Sequence, residues 1–526
     1  MGTKNLNSAT DLITFTRASG GTALRKISYG NELVTNGSFD TDLSGWNNDG
    51  TTSAIVGNQI EVTSVSGVSG SGVDQTITTV AGKRYKFSSD HAPQTGRARI
   101  EVKDNNNFGS GLGTLPQTSA TGTYEFVFVA LSNSTYIRLE AFDTSSVVLF
   151  DNVSVKEFLF DQADGTLQLW NHSNNEPRIE YDATGAVKGL LIEEARTNLV
   201  KYSNEFTNGI WAKQSVTLTG GGVSPPGLTD ATVITASATS EQHRVYQNLA
   251  TITSYSKSVY AKAGTANFIS VNGGTTSVGY AVFDLSTGVV SSQLNIVQAT
   301  MEDVGSGWYR CSIHGTVATQ WMIVNMGTTA ANAVPQVNWL GAGETVQLYG
   351  AQLEAGAFPS SYIPTTGATA TRARDLAEIP TSAFGYNNGA GSLVIDVLTP
   401  VADQIMPIAY FNTSTYNNSR GLWKSNSGIT AVGTDYVRVT HDGTTTKFTI
   451  DQQTQAEYTK LGLSYGDSEK GVSDGGTVLS GDSRSPNPTR LFLGGRDNGF
   501  QSQCWIKSIQ YYPRQLTDTQ LQELTT

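Results

Sequence analysis

The chain repeats itself over a span far longer than any solenoid unit. Asn31-Glu-Leu-Val-Thr-Asn-Gly-Ser-Phe39, followed by Trp46, returns as Thr197-Asn-Leu-Val-Lys-Tyr-Ser-Asn-Glu-Phe206, followed by Trp211. Leu33-Val34 and Leu199-Val200 stand 166 positions apart (199 − 33), and the two tryptophans 165 (211 − 46). The closing phrases echo as well: Val148-Leu-Phe-Asp-Asn-Val-Ser-Val-Lys-Glu157 against Val346-Gln-Leu-Tyr-Gly-Ala-Gln-Leu-Glu354. Between them, Val73-Asp-Gln-Thr-Ile faces Val245-Tyr-Gln-Asn-Leu, and Gly122-Thr-Tyr124 faces Gly307-Trp-Tyr309. A fixed internal period announces a repeated fold unit, and one this long is a whole domain present in two copies.

Alternation of apolar and polar residues says what kind of domain. Tyr124-Glu-Phe-Val-Phe-Val-Ala, Tyr136-Ile-Arg-Leu-Glu-Ala-Phe, Lys257-Ser-Val-Tyr-Ala-Lys-Ala and Phe268-Ile-Ser-Val-Asn read as strands. Glycine-containing breaks such as Val80-Ala-Gly-Lys and Asn272-Gly-Gly-Thr separate them. Charged residues make up only 15% of the 526 and glycine supplies 55, a mixture that suits strand faces and turns better than exposed helices. Helical periodicity is nearly absent until Thr517-Asp-Thr-Gln-Leu-Gln-Glu-Leu, where Thr517 stands as N-cap and Gln520 at the capping-box position. The expected fold is all-β: tandem antiparallel β-sandwiches (jelly rolls) with a short C-terminal helix.

Four parts follow. Residues 1–30 and 158–198 form a small β-rich collar or connector. Residues 31–157 are a jelly roll inserted into it, 199–375 a second jelly roll ending in an extended linker, and 376–526 a third sandwich. The linker is Pro359-Ser-Ser-Tyr-Ile-Pro-Thr-Thr-Gly-Ala-Thr-Ala-Thr-Arg-Ala-Arg-Asp375, an uncharged Pro/Thr run that turns basic. Insertion is tolerated when a domain's termini lie close together, as they do at the end of a sandwich.

Charge and cysteine usage exclude several classes. With 45 acidic against 34 basic residues, a net charge of −11 and no basic block, phosphate neutralisation is a poor basis for binding, so no nucleic acid is expected. Cys311 and Cys504 fall in different predicted domains, cannot build a disulfide framework, and read as buried thiols. Met1-Gly-Thr-Lys-Asn-Leu-Asn lacks a signal peptide's apolar stretch, and no run approaches a membrane span. Assembly in a cytoplasm without membrane insertion is the expectation.

Phe15-Thr-Arg-Ala-Ser19, Asn175-Glu-Pro-Arg-Ile-Glu-Tyr181, Gly189-Leu-Leu-Ile-Glu-Glu-Ala-Arg-Thr-Asn-Leu199 and Gly350-Ala-Gln-Leu-Glu-Ala-Gly-Ala-Phe-Pro-Ser-Ser-Tyr-Ile-Pro-Thr-Thr366 together resemble a family of tailed-phage virion structural proteins, of tail-fibre or head-associated type. The resemblance covers most of residues 10–375. The first sandwich is similar to carbohydrate-binding modules of the jelly-roll type through Leu33-Val-Thr-Asn-Gly-Ser-Phe39, Trp46 and Phe150-Asp-Asn-Val-Ser-Val155. The third resembles concanavalin-like (laminin G-like) sandwiches through Gly391-Ser-Leu-Val-Ile-Asp-Val397, Leu491-Phe-Leu-Gly-Gly-Arg496 and the run from Trp505 to Leu521.

Those resemblances imply two sites. In the resembling jelly rolls a structural Ca²⁺ sits where the opening strand meets the last one. The matching positions here are Asp151, with Asn36 and Asp40. The family commonly carries Glu where Asp40 stands, and Gly350 is taken to replace Asp151 in the second copy, so no equivalent ion is expected there. The bland alternative is that Asp151 caps a turn beside Asn152. Ca²⁺ takes six to eight oxygens, so one carboxylate with several carbonyls is a reasonable set. The second site is for glycan, which needs aromatic faces flanked by amides and hydroxyls. Trp46, Tyr85, Tyr136 and Trp423 are the candidate contacts, with Trp211, Trp308, Trp321, Trp339 and Trp505 as further rings. Asn105-Asn-Asn-Phe108 and Asn417-Asn-Ser-Arg420 offer amide-rich loops. The matched placing of Trp46 and Trp211 fits core packing equally well.

Catalytic patterns are weak. Residues 376–526 lack the Glu-x-Asp-x-Glu triplet of concanavalin-like glucanases, Glu193-Glu194 would point to opposite faces of a strand, and Asp40 and Asp42 lie in a turn-rich opening. His91, His172, His243, His314 and His441 make no metal-ligand spacing. The expectation is a non-enzymatic phage virion protein on the particle surface that adheres to a cell-surface glycan of a bacterial host. Other virion proteins would be partners, and the family resemblance implies a homo-oligomer, a trimer. The alternatives are a head decoration or head fibre protein binding capsid and neighbouring copies and, third, a glycan-degrading enzyme.

Overall fold

The computed structural model describes residues 13–65, 71–106, 109–399, 406–412, 420–426, 435–440, 446–453, 457–482, 487–495 and 503–526. Within them the chain is built of antiparallel strands, with a single α-helix, Asp518–Thr525. That helix carries the capping box expected from Thr517 and Gln520. The chain divides into two compact units: Lys26–Thr166, and Met1–Arg25 with Leu167–Thr526.

The unit Lys26–Thr166 is a sandwich. One sheet is centred on Arg84–Thr95 and Val147–Phe160, and the other on Ser71–Thr78, Ser134–Ala141 and Ala98–Asp104. Its core holds Phe39, Ile60, Phe87, Ile100, Leu139 and Phe150, all essentially inaccessible. The strand Arg84–Thr95 shows why: its inward residues Tyr85, Phe87, Ser89 and His91 alternate with half-exposed neighbours, the period-two pattern of a sheet with one dry face.

The larger unit contains two sandwiches. The first pairs a six-stranded sheet, from Ala212–Gln214 through Arg244–Ile252, Thr319–Gly327 and Phe268–Asn272 to Tyr280–Asp284 and Val289–Leu294, with a second of six strands centred on Thr345–Ala355 and Tyr255–Ala263. Its dry interior includes Val200, Phe206, Trp211, Val259, Cys311 and Leu353. The other, the third sandwich of the chain, packs two seven-stranded sheets around Leu393, Ile395, Phe411, Leu461, Leu493 and Ile506. Cys311 and Cys504 are both buried and free, as the strand-like runs around them suggested.

Duplicated residues make the same bonds in both copies. Gln75 exchanges two hydrogen bonds with the Thr35 backbone (2.7 and 2.9 Å), and Gln247 does the same with Lys201 (2.9 and 2.9 Å). Asn36 and Tyr202 both turn left-handed, with φ of 53° and 49°. Their carbonyls accept the indole N–H of Trp46 (3.2 Å) and Trp211 (2.9 Å). Each indole packs on its copy's phenylalanine, Phe39 at 5.5 Å and Phe206 at 4.6 Å. At the closing strand, the N–H of Val153 bonds the Gly37 carbonyl (2.9 Å), and that of Ala351 bonds Ser203 (2.8 Å). This register sets Gly350 (φ 61°) opposite Asn152 (φ 50°) and makes Tyr349, not Gly350, the counterpart of Asp151. The phrases aligned from Val148 and Val346 carry this same register, so the assignment of Gly350 to Asp151 was one place off; both copies bulge there.

Two parts of the sequence reading are corrected. The collar is not a separate body. Thr14–Thr16 pairs with Leu376–Pro380, and Val187–Ile192 pairs with Cys504–Tyr512, so both belong to the sheets of the C-terminal sandwich. A pair as short as Arg178–Tyr181 and Val187–Ile192 cannot bury Ile179, Tyr181, Leu190 and Ile192 against itself; those side chains complete the core of the last sandwich. The Pro/Thr linker is extended but built in. Ser360, Thr365, Arg372 and Asp375 are buried, and Ala370–Arg372 pairs with Arg196–Asn198. A run without charged residues reads as solvated spacer, yet its hydroxyls serve here as bonding partners for buried groups.

Candidate functional site

The motifs behind the family resemblance converge on one buried polar network. Arg178 reaches Glu193 (2.7 Å) and Asp375 (2.5 Å), Arg17 reaches Asp375 (3.2 Å), and Arg372 reaches Glu193 (2.6 Å). The Ser361 hydroxyl and N–H both donate to Glu193, at 2.7 Å each, and the Glu193 N–H donates to Asp375 (2.8 Å). Burial alone would push the Glu193 carboxyl up, but Arg372 and Arg178, with the Ser361 bonds, hold it well below the carboxylate range. These five charged side chains come from four separated stretches of sequence, Arg372 and Asp375 sharing one, and each is at most 1% exposed. Such a network fixes how elements meet; its carboxylates are committed to arginines.

The candidate glycan contacts are buried: Trp46 and Tyr85 in the core of the first sandwich, Trp423 in a separate cluster with Tyr410 and Phe492, and Tyr136 on the opposite face of its sheet with its hydroxyl accepting from Arg138 (3.3 Å). Trp46, Tyr85, Tyr136 and Trp423 are 9, 2, 6 and 4% exposed, so none presents a ring face to a sugar. Trp211 and Trp308 are buried as well. Large aromatics carry much of the apolar area a sandwich must bury, and matched positions in two copies are where that demand is highest. Phe108 and Asn417 to Ser419 of the two amide-rich loops, Arg496 of the third-sandwich motif and His441 lie outside the described residues. Arg420 is buried, with its Nε on Glu469 (2.6 Å).

At the implied calcium position, Asp151 accepts the Asn152 N–H (2.7 Å). Burial raises its carboxyl, and the nearby Asp90 and Asp40 raise it further. Asn36 turns its amide to the Asp42 carboxylate (2.8 Å), and Asp40 takes the Ser38 hydroxyl (2.7 Å). Among the described residues no three His, Cys, Asp or Glu side chains gather closely enough to hold a metal. Of the three implied ligands, Asp151 is left with backbone oxygens.

An open groove lies on the outer face of the six-stranded sheet in the second sandwich, with a volume of about 470 Å³. Alternation builds it. In Thr319–Gly327, Met322, Val324 and Met326 point into the core, which leaves Trp321 facing out. In Arg244–Ile252, Val245 and Gln247 are buried while Arg244 and Tyr246 face the groove. The half-buried rings of Tyr246 and Trp321 meet edge to face, with centroids 5.8 Å apart and planes at 70°. The Arg244 guanidinium lies 5.2 Å from the Tyr246 centroid, and its Nε donates to Gln214 (2.9 Å). Burial lowers the Arg244 pKa.

A loop closes one end. The Asn272 side chain accepts the Gly274 N–H (3.0 Å), pinning Gly273-Gly274-Thr275 beside Trp321. Gly274 has φ +108°, and a Cβ there would sit 3.2 Å from the indole, so glycine is required on both counts. Thr251, Thr275 and Gln320 supply hydroxyl and amide groups around the rings, while the buried Thr319 turns its hydroxyl to the Gly273 carbonyl (3.3 Å). Aromatic faces, hydroxyls, an amide and one cation make a surface suited to a polyhydroxylated ligand. Sequence reading named Trp321 only as one ring among nine and missed Tyr246 and Arg244. The available signal was parity: Trp321 alternates with the apolar Met322, Val324 and Met326.

No protein-family model and no curated protein matches the chain. Carbohydrate-binding modules are among its structural neighbours. A CBM4 structure shares 17% identity over 24% of this chain and 99% of its own, with a TM-score of 0.21. The CBM22-1–CBM22-2 tandem domain of Paenibacillus barcinonensis Xyn10C shares 14% over 62% and 98%, also at 0.21. Trypanosoma rangeli sialidase, in complex with 2,3-difluoro-KDN, shares 10% over 91% and 83%, at 0.24. The groove's chemistry is read from its own residues.

Proposed function

We propose that this chain is a carbohydrate-binding virion structural protein of a tailed phage, displayed on the particle, that adheres to a host-surface glycan through the groove of its second sandwich. The observation that carries the binding reading is the Tyr246–Trp321 pair set among hydroxyl and amide groups in an open groove. The virion setting is supported by the sequence resemblance of residues 10–375. The mechanism is adhesion without turnover: a shallow site multiplied by copy number, where linkage raises avidity by about 10² to 10⁴. A homotrimer belongs to the same proposal, and light scattering on the purified chain tests it.

Binding of fluorescently labelled chain to intact cells of a host panel tests the main reading. Saturable binding, competed by soluble surface polysaccharide and lost in Trp321→Ala, is the expected result; assaying the same mixtures for released reducing ends checks for turnover. A folded chain that binds no host points instead to decoration of the capsid. A structural Ca²⁺ at Asp151 is carried as a proposal too, resting on the module resemblance and on the crowding of Asp151 by Asp90 and Asp40. Wild type should then melt higher with Ca²⁺ than with chelator, and Asp151→Ala should not. Identical melting of the wild type in both buffers rules the ion out.

A further inference from the structure

The groove contains a cation with no counter-ion. The buried arginines of the network each meet a carboxylate, whereas Arg244 meets none among the described residues. Arg244 lines the groove with its Nε taken by Gln214 and its face by the Tyr246 ring, and no described residue hydrogen-bonds its two terminal nitrogens. Among the described residues no aspartate or glutamate lines that groove, although the chain has 45 of them against 34 basic residues. A guanidinium keeps its charge at any ordinary pH, and a partly desolvated one without a partner is a standing cost that an incoming anion removes.

We propose that the groove selects an acidic sugar, with the ligand's carboxylate taken end-on by the two terminal nitrogens of Arg244. This rests on the carbohydrate-binding reading above and narrows it to a ligand class. In a uronic or nonulosonic acid the carboxylate projects from the ring's edge. A sugar ring can therefore lie on Trp321 while its carboxylate reaches the guanidinium held against Tyr246. The fork of Arg244 is planar and fixed at Nε, so two parallel N–H···O bonds form without reorganising the side chain. A neutral sugar in the same place would shield the guanidinium from water and offer it no charge in return.

Polygalacturonate, alginate, hyaluronan and polysialate are the probes, each paired with its carboxyl-reduced form, with affinity measured at physiological salt. Wild type should bind at least one acidic polymer about tenfold or more tighter than its reduced form. Arg244→Gln should lose that difference while melting as wild type does, and Trp321→Ala should lose both forms. Lys213→Gln removes the same charge from an exposed position outside the groove and should change nothing. Equal binding of acidic and reduced polymer overturns the selectivity and leaves carbohydrate binding standing. Equal loss in Lys213→Gln and Arg244→Gln overturns it as well, in favour of bulk charge. A folded wild type that binds no polymer in either form overturns both readings.

Discussion

At the scale of single residues, Lys257 is the sharpest anomaly. It lies on the inner face of Tyr255–Ala263, fully buried, with its Nζ donating to the Asn272 carbonyl (2.8 Å) and the Thr319 hydroxyl (3.3 Å). No carboxylate among the described residues accompanies it, and burial pushes the amine down to about 7 from 10.5. Between those two values the unfolded chain holds a proton that the folded chain does not. Stability must therefore rise with pH across that window, by up to about 1.4 kcal/mol per unit, and the full penalty applies below about 7. Lys257→Met should stabilise the larger unit more at pH 6 than at pH 9, read from paired thermal melts. A gain that is the same at both pH values would contradict the assignment. The lysine's partners were not legible in the sequence, since Lys257-Ser-Val-Tyr reads as an ordinary strand with a polar outer face. Parity with Val259 and Ala261, both core residues, was the available clue. Trp321 gave its position away by the same logic, but size drew attention to tryptophans whose size instead made them core.

At the scale of elements, the buried network is what joins strand to sandwich. Glu193→Gln would leave Arg178 and Arg372 short of one carboxylate, and breaking a buried pair costs roughly 3–5 kcal/mol. The acid limb should carry the same signature. The folded-state carboxyl of Glu193 is depressed, so its contribution is complete above the ordinary value of about 4.5 and is lost as pH falls below it. Acid melts of wild type and Glu193→Gln should keep a constant gap above pH 5 and draw together progressively as pH falls below 4; a gap that stays constant down the acid limb would contradict the depressed carboxyl. In the smaller unit the weak point is steric. A Cβ on Gly37 would stand 1.9 Å from the Val153 carbonyl oxygen, so Gly37→Ala should cost about 1–3 kcal/mol. The second copy carries Ser203 there and turns its hydroxyl to Tyr362 (2.6 Å). An unchanged urea midpoint for the smaller unit would refute the clash. Sequence alternation and the repeat made both jelly rolls legible strand by strand. The collar misled because adjacency along the chain was taken for adjacency in space, and an apolar strand face without a local partner was the sign that it must pair elsewhere.

At the scale of the whole molecule, the smaller unit leaves and rejoins the larger one at neighbouring points. Leu24, just before it, packs in one apolar cluster with Leu167 and Leu169, just after it. Replacing residues 26–166 by a short glycine-serine loop should therefore leave the remainder folded, with its calorimetric transition within a few degrees of the parent's. Aggregation of that deletion, with the isolated segment also unfolded, would count against autonomy. Composition and charge, by contrast, spoke only to class: they argued for β-structure and against nucleic acid, and were silent on where a ligand would sit.

The sheets of the last sandwich also set a clock. Ile192 has to wait for Cys504, its partner 312 residues later (504 − 192). At synthesis rates of about 5–20 residues per second, that interval is about 15–60 s. Throughout it, the apolar faces of Arg178–Tyr181 and Val187–Ile192 lie bare on the nascent chain, while each jelly roll can close as soon as its own last strand emerges. The passage most exposed to misassembly is thus neither duplicated domain but the short stretch between them. Chaperones would meet this protein there first.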